Sequence, residues 1–454
     1  MPTTLLVANR GEIACRVIRA AQKLSLRTVA VYSEADAELP HVQLADEAVL
    51  LGPARAAESY LRADKLLEAA KRTGATLVHP GYGFLSENPA FAEACEGAGL
   101  KFVGPSASVI RLMGDKDQAR QTAARAGVPI LPGTKKLDPT DEAGVLAAGA
   151  ATGFPLLVKA SAGGGGIGMR TVSAAGELGA AVQATAGMAL KAFGDGSVYL
   201  ERLVTRARHV EIQVFGFGDG TAVHLFERDC SLQRRHQKVV EEARAPNIPD
   251  SVRGKIAAAA VALACACRYQ GAGTVEFLYD TERKAHYFLE MNTRIQVEHP
   301  VTEMITGVDL VGAQLRLAMG ESLQAELMQE NIRATGHSVE ARVYAENPLK
   351  NFLPSPGLLT EFQLPEMDGI RAETGYREGN KVTPFYDPLV MKLISVAPDR
   401  LQAIDKLRSA LGALRINGIT HNVSYLIAIL GHPAFRDGDL HTGFLPQAHA
   451  QLIG

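Results

Sequence analysis

The first hundred residues alternate short apolar runs with amphipathic stretches. Residues 5–7 read as a strand, and Arg10-Gly11 as the turn into a helix over 12–23. Strands follow at 27–32, 76–79 and 101–103, with helices at 61–71 and 89–98 between them. This rhythm predicts an α/β fold with a doubly wound, mostly parallel sheet. Ligands bind such a sheet at the loops that follow its strands. Asn9-Arg10-Gly11-Glu12 and His79-Pro80-Gly81-Tyr82-Gly83-Phe84 occupy that edge.

Between about 130 and 205, Pro-Gly punctuation, a strand over 154–160 and a glycine stretch predict a small mobile subdomain. From 206 to 300 the strands lengthen and alternate, at 210–217, 221–228, 274–279 and 286–290, which predicts a larger, antiparallel-leaning sheet. The apolar run 256–267 is too short to cross a bilayer and reads as a buried Ala-rich helix. Helices continue to 329. A third region begins at His337, with short strands and turns marked by Pro354, Pro356, Pro384 and Pro388, and closes on helices near 400–412 and 421–431.

A length of 454 residues fits two or three domains. Lys plus Arg number 47 against 49 Asp plus Glu, which excludes nucleic-acid or anionic-membrane binding through bulk charge. Cys15, Cys95, Cys230, Cys265 and Cys267 are scattered, odd in number and form no Cys-x-x-Cys, so a disulfide framework is not expected. The apolar run near the N-terminus is too short for a signal peptide. The expectation is a soluble cytoplasmic protein.

Three segments carry chemistry. In Lys159-Ala-Ser-Ala-Gly163-Gly164-Gly165-Gly166-Ile167-Gly168, a strand delivers a lysine and the glycines bare their backbone N–H groups, as a phosphate-covering loop requires. It is neither a P-loop nor a dinucleotide fingerprint. In Glu290-Met-Asn292-Thr-Arg294-Ile-Gln296-Val-Glu298, the polar residues hold every even position and share one face if the chain is extended. Two carboxylates with Asn between them suit a hard cation such as Mg²⁺, and Arg294 suits a planar oxyanion. Fully extended, 290–298 would span about 26 Å, so the segment must bend, after Asn292, to serve one site. Glu276 read alone is an exposed strand residue; if its strand pairs with 286–290 it shares a metal with Glu290. The third segment, 227–242, is dense in both signs and reads either as a salt-bridged loop or as donors to phosphates and sugar hydroxyls. His209 by itself is an ordinary strand histidine. Met391-Lys392 has the look of a biotinylated lysine, but its apolar setting predicts a core-strand lysine snorkelling outward.

Val7-Ala-Asn-Arg-Gly-Glu-Ile13, His79-Pro-Gly-Tyr-Gly-Phe-Leu-Ser-Glu-Asn88, Met113-Gly-Asp-Lys116, Gln233-Arg-Arg-His-Gln-Lys238, Glu290 to Pro300 and Phe352-Leu-Pro-Ser-Pro-Gly357 resemble the biotin carboxylase family, over essentially the whole chain. The resemblance implies a Rossmann-like N-terminal domain (1–115), an ATP-grasp domain (116–330) with a glycine-rich lid subdomain (about 131–204), and a C-terminal biotin carboxylase domain (335–446). It implies MgATP-dependent carboxylation of biotin by bicarbonate, through carboxyphosphate, with Mn²⁺ as the alternative ion. By the resemblance, Lys116, Lys159 and His209 contact ATP, Glu201 and Val204 lie near adenine, and Gly163–Gly168 cover the phosphates. Gln233, His236, Gln296 and Val297 are also binding residues, and Tyr82 lies near biotin. Glu276, Glu290 and Asn292 hold the metal. Lys238 and Arg294 hold bicarbonate, Glu298 is its base, and Arg342 stabilises the biotin enolate. The implied partners are a biotin carboxyl carrier protein, carboxyltransferase subunits and a second copy of the chain, with neither nucleic acid nor membrane among them. The final acceptor is acetyl-CoA or another acyl-CoA. Ile167 and the lid around it are closer to urea carboxylases, Arg244 stands where the family usually has Pro, and a urea-type or other ATP-grasp ligase is the alternative.

Overall fold

The computed structural model describes residues 3–160, 169–193, 195–235 and 237–453. Gly163, Gly164, Gly165, Gly166, Gly168, Ile167 and His236 lie outside the described residues. The chain forms two compact units: Met1–Val128 with Arg208–Tyr279 and Leu289–Gly454, and Pro129–Ala207 with Asp280–Phe288.

In the first unit, β1 (Thr4–Val7), β2 (Arg27–Ser33), β3 (Glu47–Gly52), β4 (Leu77–His79) and β5 (Lys101–Phe102) form a parallel sheet in the order β3-β2-β1-β4-β5. Every residue of β1 is buried, as in a strand covered on both faces. The sequence reading finds each of these strands except β3, a half-exposed edge strand with few buried side chains. The helix α1 (Gly11–Lys23) follows β1 directly. The loops after β1 and β4 meet, as expected for a doubly wound sheet. Asn9 Nδ2 donates to the carbonyls of Pro80 and Tyr82, at 2.7 Å each. Gly81 has φ +61°, and a Cβ there would fall 2.8 Å from Asn9 Nδ2, so this crossing requires glycine.

In the second unit, β6 (Leu156–Ala160), β7 (Met169–Val172) and β8 (Val198–Arg202) form an antiparallel sheet in the order β7-β6-β8. Val145, Leu156, Val158, Leu178, Val182 and Leu200 form its core with the helices Glu142–Thr152 and Ala175–Phe193.

The larger sheet comprises β9 (Ala207–Phe217), β10 (Ala222–Arg234), β11 (Gln237–Ala243), β12 (Gln270–Asp280), β13 (Ala285–Asn292), β14 (His337–Tyr344) and the strands Ile370–Thr374 and Leu389–Ala397. Its order is β13-β12-β9-β10-β11-β14, then Leu389–Ala397 and Ile370–Thr374. The pairs from β9 through β10, β11 and β14 to the last two strands are antiparallel. β13 ends at Asn292, where the motif had to bend. The apolar run lies in the helix Asp250–Ala266, with its last residue, Cys267, at the C-cap. No helix among the described residues is long and apolar enough to cross a membrane.

Glu242 at the end of β11 accepts from Arg400 Nε at 2.7 Å and lies 2.7 Å from His337 Nε2. Burial raises its pKa, but Arg400 and His337 outweigh burial and hold it at about 2. A carboxyl held below its unfolded value contributes stability above that value and loses it as pH falls through the folded one. Glu242→Gln is therefore expected to cost on the order of 3 kcal/mol at pH 7 and to flatten the loss of stability between about pH 4.5 and 2. Urea unfolding across that pH range measures both.

Candidate active site

The five strands β9 to β13 and β14 aim polar side chains into one place because strand side chains alternate. On β9, His209, Glu211 and Gln213 alternate with the fully buried Val210, Ile212 and Val214. Arg228 of β10 lies opposite Glu211 in the ladder, and Gln233 lies opposite Lys238 of β11. β12 supplies Glu276 and β13 supplies Glu290 and Asn292. After Asn292 the chain leaves the sheet, and Glu298 sits just before the helix His299–Thr306.

Lys238 is the centre of the arrangement. Its Nζ lies 2.6 Å from Glu211 Oε2, 2.6 Å from Glu298 Oε1 and 3.2 Å from Glu276 Oε1. Burial opposes its charge, but these anions hold its pKa well above the ordinary lysine value. Glu298 is fully buried, and its other oxygen accepts from Arg342 Nη2 at 2.9 Å. Burial would raise the Glu298 carboxyl; Lys238 and Arg342 outweigh burial and the neighbouring Glu211, so the group is held ionised. Arg342 also faces Glu241, its Nε 2.6 Å from Oε1. Burial pushes Glu241 up to about 7, against the pull of Arg342. Arg228, fully buried, braces Glu211 from behind at 2.6 Å.

Arg294 is clamped at both ends. Its Nε donates to Glu87 Oε2 at 2.8 Å, and Nη1 and Nη2 donate to Gln296 Oε1 at 2.8 Å and Asn292 Oδ1 at 3.0 Å. Asn292 and Gln296 in turn donate to Glu276 Oε1, at 2.9 and 3.3 Å. Glu276 is therefore buried and surrounded by donors, not the exposed strand residue it resembles in isolation; its strand lies beside β13. His209 Nε2 is 3.1 Å from Glu276 Oε2, and its Nδ1 is 2.9 Å from Gln233 Nε2. Burial lowers the His209 pKa, but Glu276 raises it to about 9, so this is not an ordinary strand histidine.

Glu290 differs from its neighbours. No hydrogen bond or ion pair reaches its carboxylate among the described residues. Burial and the charge of Glu276 raise its pKa, while Lys116 and His209 lower it. An exposed carboxylate beside a second, buried one, with spare oxygens and an amide oxygen nearby, fits a hard divalent cation.

In the second unit, Lys159 forms an ion pair with Glu201, and its Nζ lies 5.9 Å from the centre of the Tyr199 ring. Leu157 on β6 pairs with Glu201 on β8, which puts both charged groups on the same small sheet. Val204 is buried just beyond β8.

Tyr82 donates its hydroxyl to Glu12, at the start of α1. Lys392 is fully buried, so the expectation that it snorkels outward is incorrect. Glu12 and Glu373, at 3.1 and 2.9 Å, compensate its charge inside the protein. Within the segment 227–242, Glu227–Arg234 lies in β10 and Gln237–Glu242 in β11, and the two strands are paired, so it is not a loop throughout. Sequence reasoning missed Glu211, Arg228, Glu241, Cys230 and Glu87. The polar alternation His209, Glu211, Gln213 within an apolar strand was a readable signal. Cys230 Sγ, 3.8 Å from Glu298 Oε1, and Glu87 had none beyond their place in long motifs.

A family model described as the biotin carboxylase N-terminal domain matches residues 1–110, the carbamoyl-phosphate synthase L chain ATP-binding domain matches 115–326, and the biotin carboxylase C-terminal domain matches 340–447. Fold and site thus define an ATP-dependent ligase with an ATP-grasp centre. Biotin carboxylase of Halalkalibacterium halodurans is 51% identical over 97% of this chain and 96% of its own length. The mouse mitochondrial methylcrotonoyl-CoA carboxylase subunit alpha is 50% identical over 99% of this chain, which spans 62% of that longer protein. The biotin carboxylase domain dimer of Hydrogenobacter thermophilus 2-oxoglutarate carboxylase, in complex with MgADP, ADP and bicarbonate, has a TM-score of 0.90 and 44% identity and covers 100% of this chain and 99% of that one. The chain belongs to the biotin carboxylase family. ATP, Mg²⁺ and biotin are the nucleotide, metal and acceptor on which that family works.

Proposed function

We propose that this chain carboxylates biotin on a carrier protein, using bicarbonate and ATP. The observation that carries the reading is Glu298: a buried carboxylate kept ionised between Lys238 and Arg342, on the loop that also carries Arg294. Bicarbonate is a weak nucleophile, and a carboxylate that takes its proton as its oxygen attacks the γ-phosphorus removes that handicap. The bond to ADP breaks and carboxyphosphate forms. Lys238 and Arg294 supply positive charge at the attacking anion, and phosphoryl transfer gains most from such positioning and neutralisation. Glu276 and Glu290, with Asn292, would hold Mg²⁺, which neutralises phosphate charge when bound. Lys116, Lys159, His209, Gln233, His236, Glu201 and Val204 are proposed to take the nucleotide, and Gly163–Gly168 to shield carboxyphosphate from water. Arg342, always charged, suits the ureido enolate of biotin as CO₂ reaches N1′. Gln296 and Val297 would line the bicarbonate side and Tyr82 the biotin side.

The proposed setting is a cytoplasmic acyl-CoA carboxylase, with a biotin carboxyl carrier protein, carboxyltransferase subunits and a second copy of the chain as partners. The test is ATP hydrolysis by the purified chain with Mg²⁺. We expect hydrolysis that requires bicarbonate and rises at least severalfold with free biotin. Hydrolysis indifferent to both, or dependent on an amine acceptor, would overturn the reading in favour of another ATP-grasp ligase.

A further inference from the structure

The proposed reaction makes no use of Lys392, yet this residue occupies the middle of the machinery. It lies in the strand Leu389–Ala397, opposite Arg342 on one side and opposite Glu373 on the other. Residues directly opposite in a sheet share a face and stand about 5 Å apart. The ladder thus sets Glu373, Lys392 and Arg342 in one row across three strands. The buried Lys392 ammonium group has three partners, two carboxylates paired with it by charge and one carbonyl that accepts a hydrogen bond. Glu12 Oε1 lies 3.1 Å away, Glu373 Oε2 lies 2.9 Å away, and the carbonyl of Val297 accepts at 2.8 Å. Val297 immediately precedes Glu298. Glu12 accepts the hydroxyl of Tyr82 on the same Oε1.

A buried cation between two carboxylates stabilises a fold little more than apolar residues of equal volume would. What it does add is direction. The segment 293–298 lies outside the sheet and has no ladder to fix its backbone. The Lys392 hydrogen bond fixes the Val297 carbonyl, and through that peptide plane it fixes where Glu298 starts.

Resting on the function proposed above, we propose that Lys392 is a positioning residue for carboxyl transfer: by holding both the Val297 carbonyl and Glu12, it ties the Glu298 base to Tyr82 at the biotin side. It touches neither substrate. Its loss slows carboxyphosphate formation through the displaced base and uncouples it from transfer, because the carboxyphosphate that does form meets a misplaced acceptor.

The test uses the full chain and keeps the buried charge balanced by pairing Lys392→Met with Glu373→Gln. Three quantities are measured per folded molecule: the ATP dissociation constant by calorimetry, the KM for bicarbonate, and the ADP released per carboxybiotin formed with free biotin. The expected result is ATP affinity within about twofold of the parent, a raised KM for bicarbonate, and a rate of carboxybiotin formation lower by about a hundredfold, as for a misplacement of about 1 Å. The ADP released per carboxybiotin should rise at least tenfold. If that variant does not accumulate as folded protein, Lys392→Gln in the same background decides, because its amide can still donate to a carbonyl and should recover part of the coupling. A variant of lower melting temperature but parental KM and parental coupling would overturn the proposal and leave Lys392 as a structural counter-ion. A parent without bicarbonate-dependent hydrolysis would overturn the functional reading and this proposal together; an active parent with an indifferent variant would overturn this proposal alone.

Discussion

Glu298→Gln is expected to lower bicarbonate-dependent ATP turnover by about a thousandfold while leaving the ATP dissociation constant within about twofold, as removal of a general base does. Gln keeps the shape, and its one amide oxygen can still accept from Arg342 or from Lys238, so packing survives. It cannot take the bicarbonate proton. Glu298 is held below the ordinary carboxylate range once Lys238 and Arg342 outweigh burial, so the wild-type base stays ionised on the acid side of neutrality. The rate should therefore lose its acid limb only as pH falls below that range, where Glu298 gains a proton. Steady-state kinetics from pH 4 upward, with calorimetric ATP binding on the same samples, checks both halves. A joint loss of ATP affinity and turnover would show that the base is misassigned.

Lys238→Met is expected to remove activity and to destabilise the fold as well. Lys238 is the common partner of Glu211, Glu276 and Glu298, within 3.2 Å of all three. Without it Glu211 keeps Arg228, Glu276 keeps His209 and two amides, and Glu298 keeps Arg342, but three anions then repel each other in a buried site. Removing one partner of a buried charge cluster costs about 3–5 kcal/mol. The expected outcome is a lower denaturant midpoint together with loss of bicarbonate-dependent turnover. Adding Glu211→Gln should restore a good part of the midpoint, because one of the stranded charges is gone, and none of the turnover. Full recovery of turnover in the double variant would show that Lys238 balances charge and does not act on substrate.

Much of this protein was legible in its sequence. The βα rhythm of the first hundred residues predicts the parallel sheet, because apolar runs separated by amphipathic helices leave no other way to bury both faces. Polar residues at every second position from Glu290 to Glu298 predict a shared face, and chain length alone requires the bend that ends β13 at Asn292. The long motifs carry the family. What the sequence leaves open is which charge meets which. Lys392 reads as a lysine reaching for water, because its strand shows no partner nearby; Glu12 and Glu373 come to it from 380 and 19 residues away. Glu276 reads as exposed for the same reason, until β12 settles between β9 and β13 and brings His209, Lys238 and Asn292 onto it. The local pattern determined the strands, the bend and the identity of the charged residues, since those depend on neighbours in the chain. Only the tertiary structure decided the protonation and direction of each group, because both follow from charges that the fold draws together from distant segments and removes from water.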